Sequence, residues 1–398
     1  MKKSTISALI VIVCEEITLL TPYATPPPLK VAIYRTSSIG DVVLATSCLD
    51  LLERLGMPLD VTWAGRHPSL GLIASAWPAL RPIEVKRAAD SSARDNLVAE
   101  LGKAHIVIDL QANLRSRHAC LMAKRENKAP YYTCEKMVMD RSRMVLMARI
   151  RGRARALVSE QVTPQHRLMS DTLRMALGDH LPVEMRDLIA GYDPAPRLPT
   201  EHDPGHRPWQ KELKFGRWLA VAPGALYDTK RSPLQVFQGI LEELRRQWAR
   251  QKVTDERGVG LLLLGDERDR NLTLQLLDRI QWPFSVLNLA GKLSLWETAL
   301  ALKDAEALLG NDSSLCHIAE AVGTPVVAMF GPTIEAFGFA PWRANSVAVS
   351  APLGCRPCSK HGDTACRYND QLCFQMIPVF EVARHIFALL AGESVAPA

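Results

Sequence analysis

The feature that most constrains the fold is a repeated alternation of short apolar runs with longer segments of helical periodicity. The first apolar run covers residues 29–35, and a polar loop and an apolar-periodic helix over 42–55 follow it. The run at 260–264 is almost pure leucine, as expected for a strand buried on both faces. Strands that alternate with helices in this way form parallel sheets. The sequence therefore predicts an α/β fold.

The alternation occurs twice, on either side of a proline-rich stretch. Residues 192–209 contain five prolines and few apolar residues, which is typical of a linker. We predict a Rossmann-like, doubly wound domain over 29–190, a linker over 191–212 and a second such domain over 213–398. The two domains are expected to face each other across a cleft. The further predicted strands and helices are strands 60–64, 106–110, 218–222, 305–309 and 326–330 and helices 233–247 and 314–322.

Residues 1–28 are predicted to be a disordered or loosely attached extension. The basic start and the apolar run at 6–13 are similar to a short signal-peptide core, but Glu15 and Glu16 interrupt that run. A cleaved signal and a membrane-surface anchor remain the alternatives. The run is far too short to span a bilayer.

The net charge of +6 is concentrated in one segment. Twelve Lys and Arg residues lie between positions 113 and 155, where only three acidic residues oppose them. Such an excess attracts polyanions, which include nucleic acid, anionic lipid and phosphorylated substrates, although a solvated helical face is the alternative. Aromatic residues make up 6% of the chain, so long stacking surfaces for single-stranded nucleic acid are not expected.

A first polar loop, which contains Ser38, Gly40 and Asp41, follows the first predicted strand. Gly40 permits a tight turn or the close approach of a ligand. Asp41 falls near a helix N-terminus, where a carboxylate commonly serves as a capping group. The functional alternative is a general base that faces the cleft and accepts a proton from an acceptor hydroxyl.

A loop of small residues, which includes Gly224, follows the strand at 218–222 and precedes Lys230. Its backbone N–H groups suit a phosphate, and Lys230 would add a positive charge, although a lone loop lysine is usually solvated.

A third polar segment follows the strand at 305–309 and opens a helix. It contains Asp312, Ser313, Ser314 and His317. Hydroxyl and amide groups at a helix N-terminus suit a diphosphate, and Asp312 suits sugar or ribose hydroxyls. His317 lies one turn into the helix and is either a phosphate contact or a satisfied core histidine.

Five segments in this order resemble glycosyltransferase family 9, which comprises ADP-heptose:lipopolysaccharide heptosyltransferases and their relatives. The segments are SSIGD, DLQANLRS, GALYDTK, GNDSSLCHIAEAVGTPVVAMFGPT and a late cysteine cluster. The resemblance runs from about residue 30 to residue 380. It implies a GT-B fold, an inverting transfer from ADP-L-glycero-D-manno-heptose, and no catalytic metal.

The resemblance also implies roles for individual residues. Asp41 matches the general base and Lys230 the lysine near the donor phosphates. The donor motif matches at Asp312, Ser313, Ser314 and His317, and Ser314 stands where the family usually has glycine. Two features depart from many heptosyltransferases: this serine, and the Val-Val-Leu-Ala sequence after Asp41, where many carry a histidine. Ser38, Gly40 and Arg115 are the expected acceptor contacts, and the basic segment would suit an anionic glycolipid.

The cysteine cluster comprises Cys355, Cys358, Cys366 and Cys373. Four cysteines within nineteen residues predict a structural zinc site, with an iron–sulfur cluster or free thiols as alternatives. Four thiolate ligands would leave no open position for catalysis.

The sequence thus predicts a cytoplasmic, monomeric glycosyltransferase that binds a nucleotide-sugar donor and an anionic glycolipid acceptor at the inner membrane surface, without nucleic acid. Peripheral attachment to that membrane is part of the prediction. The alternatives are another nucleotide-sugar donor, a nucleotide-sugar epimerase, a catalytically inactive binding module, and a zinc-containing nucleic-acid-binding protein.

Overall fold

The structure is a computed structural model of the chain. It describes residues 27–86, 91–128, 130–135, 137–153, 163–178, 180–203, 207–213, 216–250 and 258–392. Almost all of the predicted extension, residues 1–26, lies outside the described residues.

The first half of the chain forms a parallel sheet with helices. Its strands are β1 (Leu29–Tyr34), β2 (Leu59–Gly65), β3 (Arg81–Glu84), β4 (Ile106–Asp109) and β5 (Tyr131–Thr133). Its helices are α1 (Ile39–Leu44), α2 (Ser47–Arg54), α3 (Ser69–Ala76), α4 (Ser91–Gly102), α5 (Leu114–Asn127), α6 (Val138–Arg151), α7 (Gln165–Gly178) and α8 (Val183–Ala190).

The second half repeats this plan. Its strands are β6 (Arg217–Ala222), β7 (Val259–Leu263), β8 (Val286–Asn288), β9 (Ala307–Asn311), β10 (Val326–Phe330) and β11 (Val347–Ser350). Its helices are α9 (Gln210–Leu213), α10 (Leu234–Arg250), α11 (Arg270–Arg279), α12 (Leu295–Lys303), α13 (Ser314–Val322), α14 (Leu372–Gln375) and α15 (Val379–Ala391).

Both sheets have the strand order of a Rossmann-like fold. The first runs β3-β2-β1-β4-β5 and the second runs β11-β10-β9-β6-β7-β8, and every pairing between described strands is parallel. The order reverses beside β1 in the first sheet and beside β6 in the second. Ligands of such sheets bind beyond the carboxyl ends of the strands at this switch point. The structure therefore confirms the predicted α/β fold with two doubly wound sheets.

Most predicted elements end within one to three residues of the observed bounds, and the larger differences have physical reasons. The helix predicted over 42–55 is divided into α1 and α2 by a turn at Ala45 and Thr46, where Thr46 Oγ1 donates to Val43 O and accepts from the Arg197 backbone. Strand β9 ends at Asn311, two residues later than predicted. The edge strands β3, β5, β8 and β11 were not predicted, because each is only three or four residues long and none of their side chains is fully buried.

The two halves pack against each other through helices that follow their strands. Val42, Val43 and Leu44 of α1 lie in the same apolar cluster as Ile318 and Ala319 of α13. This shared core holds the N-termini of α1 and α13 close together at the carboxyl edges of the two sheets. None of the described helices combines the length and the hydropathy that a bilayer span requires.

A buried glutamate fixes the loop that follows the short 3-10 helix Glu335–Phe337. Glu320 on α13 is fully buried, and its carboxylate accepts hydrogen bonds from the backbone N–H groups of Trp342, at 3.0 Å, and Arg343, at 2.9 Å. Burial raises the pKa of Glu320 to about 7, despite these donors. The loop that Glu320 holds carries Trp342, which is half-buried and stacks on the ring of His317.

This pKa predicts how stability changes with pH. The folded protein retains the Glu320 proton up to about pH 7, whereas the unfolded chain releases it near pH 4.5. The folded state therefore binds more protons between these values, and the free energy of unfolding falls as the pH rises through this window. Since one pKa unit corresponds to about 1.4 kcal/mol, the loss across the whole window is on the order of 3 kcal/mol.

We expect Glu320→Gln, which keeps one acceptor oxygen for the two backbone N–H groups but cannot ionise, to remove this loss. Denaturant unfolding of the variant and of the native chain at pH 5 and pH 8 measures the difference. The exposed Glu381→Gln substitution on α15 is the matched control. The difference in the free energy of unfolding between the native chain and Glu320→Gln should change from pH 5 to pH 8. An unchanged difference would contradict the assignment.

Candidate active site

Two buried amide side chains organise the switch points of the two sheets. Gln111 follows β4, and its Oε1 accepts hydrogen bonds from the backbone N–H groups of Thr36, at 3.0 Å, and Ser37, at 3.1 Å. Asn311 ends β9, and its Nδ2 donates to Pro223 O at 2.8 Å while its Oδ1 accepts from the Ser232 backbone at 3.1 Å. Each amide thus ties the loop after the first strand of its sheet to the loop after the fourth.

Asp41 lies in the first turn of α1, where it is held on both carboxylate oxygens. Its Oδ2 accepts hydrogen bonds from Ser38 N, at 2.9 Å, and Ser38 Oγ, at 2.8 Å. Its Oδ1 forms an ion pair of 2.7 Å with the buried guanidinium of Arg35, which also donates to Leu110 O. Asp41 is therefore a capping residue, as one of the two interpretations predicted, and Ser38 is the N-cap of α1.

These contacts keep Asp41 ionised. Burial alone would raise its pKa, but the charge of Arg35 and the two Ser38 donors outweigh burial and hold the pKa below its ordinary value. The carboxylate is thus charged throughout the neutral range and is available as a proton acceptor. Its side chain is 21% exposed, so it also remains accessible from the cleft.

Gly40 and His317 bring the two halves into direct contact. A Cβ placed on Gly40 would lie 2.7 Å from Cδ2 of His317 and 3.7 Å from the Cα of Ser314. Only a residue without a side chain fits this approach between α1 and α13. The glycine that the sequence marked for close approach thus meets a histidine of the other half.

His317 is buried in an aromatic environment. Its ring stacks on Trp342 at 6.1 Å with an interplanar angle of 12°, and Phe339 lies at 6.3 Å. Burial lowers the pKa of His317, although Asp312 and Asp41 oppose the shift, so the imidazole is neutral at neutral pH. Its Nδ1 has no hydrogen-bond partner within the described ranges. A buried, unpaired ring nitrogen in a cleft is suited to a ligand hydrogen bond.

Lys230 and Asp312 form an ion pair on the side of the second sheet. Lys230 ends a short 3-10 turn, and its Nζ lies 2.5 Å from Asp312 Oδ2, which also accepts from Thr333 Oγ1 at 2.6 Å. Burial raises the pKa of Asp312, but Lys230 and Thr333 outweigh it, and the net pKa is lowered. Asp312 therefore orients Lys230 in this structure.

The remaining donor-side residues fall into two groups. Ser313 and Ser314 start α13, and the buried Oγ of Ser313 has no hydrogen-bond partner among the described residues. Gly224 instead packs against Asp269, because a Cβ there would lie 2.2 Å from the carboxyl carbon. The preference for glycine at 224 thus follows from packing against Asp269, the residue before α11, and the Gly224 carbonyl lies 3.4 Å from Asn311 Nδ2.

The sequence reasoning did not single out Arg141, which lies on α6 within the basic segment. Its residue surface is 9% exposed, and its guanidinium lies over the rings of Phe339, at 4.7 Å, and Phe337, at 5.9 Å. Burial lowers its pKa and the charge of Asp41 opposes that shift, so the two groups interact electrostatically. Among the described residues no carboxylate forms an ion pair with it, and its Nε is unbonded.

Arg115 lies in a separate opening beside the first sheet. The opening is a cavity of about 420 Å³ at the carboxyl end of β1, and Ser37 and Arg66 also line it. The remaining lining residues are Tyr34, Thr36, Asn113 and Leu114. Arg115 therefore lies in a basic cavity next to the Asp41 loop. Arg66 was not expected from the sequence.

The four late cysteines are unpaired and half-buried. Within the described part of the chain, no three or more His, Cys, Asp or Glu side chains form a group that could hold a metal ion. The predicted zinc site therefore stays a prediction, and no step of the chemistry is assigned to a metal there.

The cysteine-containing segment, residues 355–373, holds the turn that carries Lys230. Thr229 exchanges backbone and side-chain hydrogen bonds with Asp363, of 2.7 to 3.1 Å. Gln371 Nε2 donates to the carbonyl of Asp228 at 3.1 Å. Arg356 donates to the carbonyls of Gly331, Ala351 and Thr333, so it fixes the loop after β10 as well.

The chain is similar to known glycosyltransferases in sequence. The sequence model of "Glycosyltransferase family 9 (heptosyltransferase)" matches residues 96–369, which is most of the chain. The lipooligosaccharide heptosyltransferase 2 of Haemophilus influenzae is 47% identical over 118 residues, 29% of this chain and 31% of that protein. The lipopolysaccharide heptosyltransferase 2 of Salmonella typhimurium is 27% identical over 180 residues, 44% of this chain and 48% of that protein. The matches thus span less than half the length of these curated relatives.

Solved structures share the fold over nearly the whole chain. The Escherichia coli ADP-heptose LPS heptosyltransferase II has a TM-score of 0.63 at 16% identity, with 92% of this chain and 100% of that chain covered. A family 9 glycosyltransferase from Veillonella parvula has a TM-score of 0.62 at 16% identity, with coverages of 93% and 99%. At this identity the likeness concerns the fold, which is GT-B. With the family match over residues 96–369, the chain belongs to glycosyltransferase family 9, the heptosyltransferase family.

Proposed function

We propose that the protein is an inverting glycosyltransferase that moves a heptose from ADP-heptose to a lipopolysaccharide-core or related glycan acceptor. The observation that carries the proposal is the placement of Asp41. Its ionised carboxylate lies on α1, which meets the start of α13 through the Gly40–His317 contact. A base from one half and cationic groups from the other thus border the same cleft.

The proposed chemistry is a single displacement. Asp41 accepts the proton of the acceptor hydroxyl while the hydroxyl oxygen forms a bond to the anomeric carbon of the donor sugar. The bond from that carbon to the diphosphate breaks on the opposite face, which inverts the configuration. A pKa held low by Arg35 makes Asp41 a weak base, so proton transfer would occur late, when the acceptor oxygen has become acidic.

The leaving diphosphate needs positive charge and hydrogen-bond donors. Lys230, the N-terminus of α13 with Ser313 and Ser314, and the neutral His317 ring are the proposed donor contacts. Because Lys230 is already paired with Asp312, whereas Arg141 forms no ion pair with any described residue, Arg141 is the candidate cation for a ligand anion. We propose that Arg141 contacts an anionic group of donor or acceptor. Gly224 remains a proposed donor-binding residue, because the backbone N–H groups of its loop suit a phosphate.

The acceptor is proposed to be an anionic glycolipid at the cytoplasmic face of the inner membrane. The basic cavity of Arg115 and Arg66, beside Ser37, supports this proposal, because it offers two guanidinium groups to carboxylate or phosphate. The domain boundaries, the monomeric state, the cytoplasmic location and the lack of a catalytic metal stay predictions.

The general-base assignment has a direct test. We expect Asp41→Asn to lower turnover by about 10²–10⁴-fold, the usual contribution of a general base, with donor affinity nearly unchanged. The transfer assay uses ADP-heptose and a heptose-deficient core acceptor. Asp60→Asn is the matched control, because Asp60 forms an ion pair of the same 2.7 Å with Arg81 at a similar exposure of 27%. Turnover of Asp41→Asn within tenfold of the native enzyme would rule out the base.

The dependence of the unfolding temperature on added nucleotide-sugars tests which donor the protein binds. A ligand that binds the native state raises the unfolding temperature with its concentration. We expect ADP and ADP-sugars to raise it, and Lys230→Gln to reduce that rise. Arg279→Gln on the exterior of α11 serves as the charge-matched control. A response confined to UDP- or GDP-sugars would replace the ADP-heptose assignment with another donor.

We also propose a structural zinc site at the four late cysteines, which measurement of the metal content of the purified protein would test. In its support, Cys358 has a pKa raised to about 11 by burial and by the neighbouring Cys355 and Cys366, so these thiols lie within electrostatic reach of one another. A bound cation would reverse this shift by favouring thiolates. We expect about one zinc per chain after purification without chelators, lost in Cys358→Ser and retained in the control Cys120→Ser. A metal-free native chain with full activity would exclude the site.

A further inference from the structure

One face of α6 exposes apolar side chains in a continuous stripe. Met139 is 86% exposed, Leu146 58% and Ile150 71%. These positions are spaced by seven and four residues, which places them on one side of a helix. The opposite side, with Arg141, Val145 and Ala148, is buried. Large, exposed apolar residues that form a contiguous patch mark an interaction surface.

Exposed arginines accompany the apolar stripe. Of the arginines in this part of the chain, Arg141 is buried on the opposite side of α6 and Arg153 is already paired with a carboxylate. Arg143 is exposed and lies four residues after Met139, so it projects from the stripe itself, and Arg149 is exposed beside it. An apolar helical face with arginines among and beside its apolar residues has the composition of a helix that lies in a membrane interface.

We propose that the α6 stripe docks the protein onto the surface of an anionic phospholipid bilayer. Met139, Leu146 and Ile150 enter the boundary between headgroups and acyl chains, and the arginines contact lipid phosphates. Because the buried side of α6 already packs on the protein, the helix is folded before it binds. Docking therefore needs no coupled folding of this element.

Charge complementarity distinguishes the bilayer from other partners. Nucleic acid would pair with the arginines but would leave the three apolar side chains in water. A second copy of the chain would bury the apolar residues, but a two-fold contact would place Arg143 and its neighbours against the same arginines. An anionic lipid surface satisfies both the charge and the apolar area.

The position of α6 links this surface to the cleft. A helix with its side chains is about 10 Å across, so Arg141 on the inner side lies roughly that far from the outer stripe. Docking along the stripe would hold the cleft just above the lipid surface. This part of the inference rests on the proposed function, whereas binding to acceptor-free lipid does not.

Vesicle binding tests the proposal with the full chain. Flotation with vesicles of phosphatidylcholine and phosphatidylglycerol, free of glycolipid, is compared with flotation on pure phosphatidylcholine. We expect binding to the anionic vesicles that weakens with salt, and little binding to neutral ones. The triple variant Met139→Ser, Leu146→Ser, Ile150→Ser should bind at least tenfold less tightly. The variant Arg143→Gln should bind about fivefold less tightly, as expected for one arginine at an anionic surface.

A matched triple variant controls for the loss of apolar surface. Met175→Ser, Val183→Ser and Leu274→Ser remove exposed apolar side chains of similar size on α7, α8 and α11. This variant should bind vesicles as the native chain does. Equal vesicle binding by the stripe variant and the native chain would overturn the proposal, and so would equal binding to neutral and anionic vesicles. Stripe-dependent dimerisation or RNA binding without vesicle binding would overturn it as well.

The enzymatic readout separates this proposal from the proposed function. With a water-soluble acceptor that lacks acyl chains, we expect the stripe variant to turn over at the native rate. With the same acceptor embedded in anionic vesicles, its rate should fall at least tenfold. If the native chain is inactive on both acceptors but still binds anionic vesicles through the stripe, the proposed function fails and the docking surface stands.

Discussion

The contact between Gly40 and His317 is the constraint around which the rest of the site is arranged. Parallel sheets of this kind place the functional loops at the carboxyl ends of the strands, and each half of the chain delivers one helix N-terminus there. The two helices can meet only because residue 40 has no side chain. Trp342 supports the histidine from behind, and buried Glu320 fixes the loop of that tryptophan. A chain of packed groups therefore connects the core of α13 to the loop of Asp41.

Charge pairing divides the cleft residues into two kinds. Arg35 with Asp41 and Lys230 with Asp312 are close ion pairs whose members hold each other in place. Such pairs add little net charge, so their value lies in fixing geometry. Arg141 lies against aromatic faces and has no ion pair with a carboxylate among the described residues, and a buried guanidinium that lacks a close ion pair is costly. A ligand anion would relieve that cost, which makes Arg141 the natural centre of attraction.

The sequence was sufficient for the central strands and for the loops that follow them. Strand β10 has the predicted bounds, because a strand buried on both faces is a continuous apolar run with turn residues at its ends. Edge strands such as β3 are half exposed and lack that signal. Arg141 was not found because a buried arginine within a run of surface arginines has no distinguishing pattern. Gln111 and Asn311 lie within the segments that the sequence analysis identified. Their role in bridging two loops depends on the order of the strands in each sheet, which cannot be read from one sequence.

The cysteine-containing segment also bonds to α6, a helix of the first half. Arg153 on the first half pairs with Asp370 at 2.6 Å, and Lys360 donates to Ser142 Oγ at 3.2 Å. The same segment also forms hydrogen bonds to the turn that carries Lys230. It therefore connects α6 to the second half, although α6 belongs to the first half in sequence. Any opening rotation of the two halves must either shear these bonds or swing α6 with the second half. The boundary of the moving body would then fall before α6, inside the sequence of the first half, and not at the proline-rich linker.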